Sequence, residues 1–119
     1  MLAPVRTSLE TDTPLIWNRV SFLPDYVYFN HSIHIHKGVG CVTCHGEIDR
    51  MAITMKAHTL RMNWCLNCHR DPAKFIQPRN TVFDPSWTPP PNQLAMGARL
   101  VKAYHIHPQH LTSCYTCHR

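Results

Sequence analysis

Cys41-Val42-Thr43-Cys44-His45 decides the reading of this chain, because its pattern recurs twice. The other two copies are Cys65-Leu66-Asn67-Cys68-His69 and Cys114-Tyr115-Thr116-Cys117-His118. Each is C-x-x-C-H, the attachment sequence for a c-type haem. In such a motif the two thiols add to the two vinyl groups of one porphyrin. The next residue is then held beneath the iron, where an imidazole can ligate it. The reading therefore expects thioethers at Cys41, Cys44, Cys65, Cys68, Cys114 and Cys117, which uses all 6 cysteines. It expects His45, His69 and His118 as the proximal iron ligands, and three covalent haems c in all.

Zinc is the serious competitor. Cys41, Cys44, Cys65 and Cys68 read as C-x2-C-x20-C-x2-C, close to a zinc-ribbon spacing. That reading leaves Cys114 and Cys117 without partners, and it leaves a histidine after each pair unexplained. With 10 histidines in 119 residues, three such coincidences arise by chance roughly once in 1,700. Disulfides do not require a histidine after each pair either.

Composition agrees with a haem-built interior. A chain of 119 residues is one small domain, and a domain of this size is only marginally stable on side chains alone. Ten prolines and only 4 glycines suggest fixed turns and short helices. The fold expected is therefore small and mostly irregular, with short α-helices and a core formed by covalent haems. The formal charge is +5 and the pI about 9.1, but Lys and Arg are scattered. Two propionates per haem would bring the holoprotein to roughly +2 to −1. The basic pI is thus no argument for nucleic acid. No stretch approaches the roughly 18 apolar residues that span a bilayer, and no signal peptide is visible at the N-terminus.

Seven histidines remain for sixth ligands: His31, His34, His36, His58, His105, His107 and His110. In Phe29-Asn30-His31-Ser32-Ile33-His34 the two histidines share one helical face at i, i+3. They are assigned to the first and second irons respectively. For the third iron the residues leave Met62 and His58 open, lying three and seven positions before Cys65. His105, His107 and His110 lie close before Cys114. Methionine at such spacing is usually core filler, although thioether ligation is a normal choice that raises a haem potential.

Along the chain, residues 1–28 read as an irregular N-terminal segment broken by Pro4, Pro14 and Pro24. Residues 29–119 read as the three-haem domain. Within it, 72–91 reads as an extended proline-rich connector. A helix is expected from an Asn92 N-cap to about Tyr104, with Leu94, Leu100, Val101 and Tyr104 as its apolar stripe. Gly97 weakens that helix. Trp17, Trp64 and Trp87 are expected in haem packing or core.

The F-x-H-x-x-H turn followed by three C-x-x-C-H motifs is similar to the small three-haem members of the class III cytochromes. A closer resemblance runs from about Pro4 to Arg119. It is carried by Leu23-Pro24-Asp25-Tyr26-Val27-Tyr28-Phe29-Asn30-His31-Ser32-Ile33-His34 and Lys37-Gly38-Val39-Gly40-Cys41. Met62-Asn63-Trp64-Cys65-Leu66-Asn67-Cys68-His69-Arg70 and Leu111-Thr112-Ser113-Cys114 carry it further. These stretches resemble the C-terminal three-haem part of the multihaem subunit of alternative complex III, a bacterial quinol-oxidising complex. The resemblance implies bis-His haems fed by His31 and His34, and favours Met62 over His58 at the third iron. It also implies two partners: an iron–sulfur subunit of molybdopterin-oxidoreductase type, and a further cytochrome c or oxidase. That subunit usually has five haems and an N-terminal membrane anchor. Two motifs and the anchor are not in this sequence, so the expectation is a fragment, a split subunit or a free-standing relative. Haem c attachment implies the bacterial periplasm or the periplasmic face of the inner membrane. Membrane association would then come through partner subunits or an anchor upstream.

The function expected is electron relay rather than substrate transformation, because six-coordinate irons leave no open site. The competing function is a multihaem reductase with one five-coordinate haem.

Overall fold

The computed structural model describes residues 2–118. Its helices are short, as the proline content dictates. Helix α1 spans Ala3–Thr11 and ends at Asp12 in the left-handed region. This corrects the expectation of an irregular segment over 1–28. Pro4 sits in the first turn of α1, where no backbone donor is needed. Beyond α1, residues 13–30 form turns and extended chain. Helix α2 spans His31–His36. It is capped by Asn30, whose side chain accepts from the Ser32 N–H at 2.9 Å.

Helices α3 (Cys41–His45), α4 (Met62–Arg70) and α7 (Cys114–Cys117) carry the three motifs. Between α4 and α7 lie α5 (Gln93–Ala103) and α6 (Pro108–Leu111). Tight 3-10 turns occur at Ile48–Arg50, Pro72–Lys74 and Arg79–Thr81. Among the described residues there is no strand, and one antiparallel bridge joins Val39 to Ile76. The Cα radius of gyration is 17.2 Å, against about 13–14 Å for a compact domain of this length. The polypeptide alone is therefore open.

The protein core sits where an extended connector was expected. Ile76 and Val82 are each 1% exposed, and Gln77 is fully buried. The stretch 72–82 is folded tightly against two neighbours. On one side, the Gln77 N–H donates to the Gly38 carbonyl at 2.8 Å, and the Cys41 N–H donates to the Val82 carbonyl at 3.1 Å. Gly38 has φ +79°, and a side chain there would collide with the Gln77 carbonyl and the Tyr104 ring. Arg79 completes this side. Its Nε donates to the His36 carbonyl at 2.7 Å, and its guanidinium lies 4.1 Å from the Tyr104 ring centroid. The connector thus fixes both the end of α2 and the start of α3.

On the other side, α5 packs on the Pro72–Lys74 turn. Gln93 Nε2 donates to the carbonyls of Ala73 and Ile76 at 3.0 and 2.8 Å. The expected helix is present, with two departures. Asn92 precedes it but makes no side-chain capping bond, and Leu94 is 59% exposed. Gly97, read from sequence as a weakness, is buried against Ala73, whose carbonyl a Cβ there would overlap. Close approach of helix to turn requires the glycine. Gly97→Ala is expected to cost about 1–3 kcal/mol through this overlap, measured as a lowered midpoint in denaturant. Trp64 and Trp87 are half-buried, but Trp17 is 79% exposed and belongs to no polypeptide core.

Candidate functional site

The C-x-x-C part of each motif is helical, and the histidine continues the helix in the first two motifs, whereas His118 is the extended cap of α7. At i, i+3 the two thiols of a motif lie on the same face. The three turns also gather their sulfurs. Burial pushes the Cys44 thiol up to about 11, with further push from Cys65 and Cys41. Burial likewise pushes Cys68 up to about 12, followed by Cys44, Cys65 and Asp71. Cys65 is raised first by burial and then by Cys117. The thiols of α4 therefore feel those of α3 on one flank and α7 on the other, so the second motif is spatially central. Such thiols stay protonated near neutrality.

Two pairs of imidazoles face each other. The rings of His31 and His45 are 6.3 Å apart between centroids and lie within 6° of parallel. Those of His34 and His69 are 6.1 Å apart at 31°. An ion midway, bound to one nitrogen of each ring at about 2 Å, holds the centroids roughly 6 Å apart. Both gaps therefore fit an iron carrying two axial imidazoles.

The hydrogen bonds agree with that fit. His34 Nδ1 donates to the Asn30 carbonyl at 2.8 Å, and His69 Nδ1 donates to the Leu111 carbonyl at 3.0 Å. Each bond fixes the tautomer and leaves Nε2 with its lone pair free. Burial holds His34 below the ordinary imidazole range. The Asn30 bond works against that shift, and His69 and His31 add to it. The neutral form, which ligates, is thereby favoured. Phe29 steers both α2 imidazoles, its ring meeting His31 edge-on at 4.7 Å and His34 at 4.5 Å. Among the described residues no three of His, Cys, Asp and Glu converge as a ready-made metal site. Each facing pair offers two donors, which suits an iron whose remaining ligands come from a macrocycle.

The third motif differs. His118 Nδ1 donates to the Tyr26 carbonyl at 3.1 Å, and its ring pairs with the Tyr26 phenol at 5.9 Å. Met62, at the start of α4, is 63% exposed. His58 stacks on Trp64 at 5.2 Å and 23°. His107 and His110 meet edge-on at 6.2 Å, while His36 and His105 are exposed. Three participants escaped the sequence reading: the carbonyls of Tyr26, Asn30 and Leu111. Every residue has a carbonyl, so no residue type announces these three.

Three C-x-x-C-H turns with converging thiols, two of them facing further imidazoles, define the class: a multihaem c-type cytochrome. The family model for cytochrome c3 matches residues 33–119, and the chain belongs to that family. Its members transfer electrons through covalently attached haem c and are typically periplasmic. No curated protein matches the chain. No helix among the described residues is long and apolar enough to cross a membrane.

Proposed function

We propose that this chain is a three-haem electron relay working within or beside a quinol-oxidising complex of the alternative complex III type. One observation carries the relay: His31 and His34, on a single helical turn, face the histidines of two different attachment motifs. Haem c supplies one-electron iron chemistry when bound. The protein's own residues do the rest. Cys41 with Cys44, Cys65 with Cys68, and Cys114 with Cys117 tether the three macrocycles. His45, His69 and His118 would supply the proximal ligands. His31 and His34 would occupy the remaining positions of the first two irons and so would exclude substrate and water from them.

For the third iron the resemblance to the alternative complex III subunit supports Met62. Its position before Cys65 leaves the thioether exposed and unclaimed by the core. His58, fixed against Trp64, is the alternative. The same resemblance supports the partners, an iron–sulfur subunit of molybdopterin-oxidoreductase type and a downstream cytochrome c or oxidase. It also supports a periplasmic site of action. A reductase with one five-coordinate haem is the second reading, and its place would be the third motif, where among the described residues His118 has no ring pairing like that of His31 with His45 or of His34 with His69.

Haem quantified per chain, with a near-infrared magnetic circular dichroism spectrum, tests these readings. The expected result is three low-spin haems with a minority His–Met charge-transfer band. Three bis-His haems would move the third ligand to His58 or to His105, His107 or His110. A high-spin haem would favour the reductase. Fewer than three haems would overturn the relay as described.

A further inference from the structure

The attachment motif alone does not account for how His118 is held. Two hydrogen bonds run in opposite senses between residues 26–28 and 117–118. His118 Nδ1 donates to the Tyr26 carbonyl at 3.1 Å, and the Tyr28 N–H donates to the Cys117 carbonyl at 2.9 Å. Together they form a backbone clasp. A turn braces it from behind, the Val27 N–H donating to the Pro24 carbonyl at 2.9 Å, with Pro24 fixing its own φ. The Tyr26 residue is 67% exposed, so its carbonyl is the specific contact. The match to the cytochrome c3 family begins at residue 33, so the Pro24–Tyr28 half of this clasp lies outside it, while Cys117 and His118 lie within it. The partner of His69, Leu111, lies within it.

We infer that the Pro24–Tyr28 turn is a positioning element for the third haem, its Tyr26 carbonyl fixing the tautomer, plane and donor strength of His118. The inference rests on the proposed ligation of the third iron by His118. An imidazole that donates Nδ1–H to a carbonyl is a more basic ligand at Nε2. A more basic ligand favours the ferric state, so the clasp holds one midpoint potential down.

The test is Tyr28→Pro, which removes the donor N–H of the clasp, beside Tyr28→Phe, which keeps it. Redox titration resolved by haem is the first readout. The second is exchange of the His118 Nδ1 proton in the reduced, diamagnetic protein. In Tyr28→Pro one midpoint of the three should rise while two stay put, and the Nδ1 proton should exchange roughly tenfold faster. Tyr28→Phe should match the parent in both. Pro24→Gly, which loosens the turn without touching the clasp directly, should move the same midpoint upward by less. Unchanged midpoints and exchange in both Tyr28→Pro and Pro24→Gly would overturn the inference, as would three midpoints shifting together. Failure of the underlying ligation reading shows separately, as a reduced parent protein in which the His118 ring carries no iron-bound imidazole signature in its proton spectrum.

Discussion

His34→Ala is expected to convert one haem of the three from low spin to high spin and to open it to carbon monoxide. The parent should bind none at this iron, and the variant one equivalent per chain when reduced. The argument rests on the facing rings of His34 and His69, 6.1 Å apart. Alanine cannot bridge that gap, and the Asn30 carbonyl that orients the imidazole loses its donor. Loss of a strong-field axial nitrogen should also raise the potential of that iron. The shift should be a sizeable part of the roughly 0.8 V that axial ligation commands. His31 should keep its place, because Asn30 still caps the same turn. Optical and electron paramagnetic resonance spectra read the spin state, and gas titration reads the open site. A fully low-spin variant that binds no carbon monoxide would remove His34 from the ligand set.

Double replacement of Cys65 and Cys68 by serine is expected to be more damaging still. The second motif is spatially central, its thiols feeling those of both other motifs. Helix α4 also packs against α6 and the Pro72–Lys74 turn. The fully buried hydrophobic side chains among the described residues are only Ile76 and Val82. Phe29 and Ile33, beside the α2 histidines, are 43% and 49% exposed in the polypeptide. A macrocycle tethered at α4 would cover such apolar surface. Without it the loss should be comparable to the whole stability of a small domain, about 5–15 kcal/mol. Haem content should fall from three to two or fewer, and calorimetry should show no cooperative transition. Serine at Cys114 and Cys117, where the first thiol is already exposed, should be milder. Equal damage at both motifs would refute the central placement.

What could be read from the sequence was local. The C-x-x-C-H spacing, the i, i+3 histidines and the periodicity over Gln93–Ala103 each lie within one or two helical turns. What could not be read was set by distant contacts. Prolines over 72–91 signal extended chain, yet Ile76 and Val82 bury there because the stretch is gripped by residues 38–41 and by α5. Gly97 looks like a helix weakness until Ala73 is brought against it. The helix at Ala3–Thr11 was hidden by Pro4, whose effect depends on whether it falls first or in the middle. Whether Met62, His58 or one of His105, His107 and His110 would serve the third motif depends on how those residues sit relative to residue 118, which no short window contains.

The clasp at His118 also bears on how the protein is made. The bond from His118 to Tyr26 spans 92 residues, that from Lys37 to the Tyr104 carbonyl 67, and that from His69 to Leu111 42. In each, a residue made early waits for one made much later. Contacts of such long sequence separation slow folding, because loop entropy is lost before they form. A chain emerging N-terminus first thus presents its first two motifs before the carbonyl of Leu111 exists to orient His69. The orientation of His69 and of His118 by these carbonyls is therefore completed only once residues 111–118 have joined the fold.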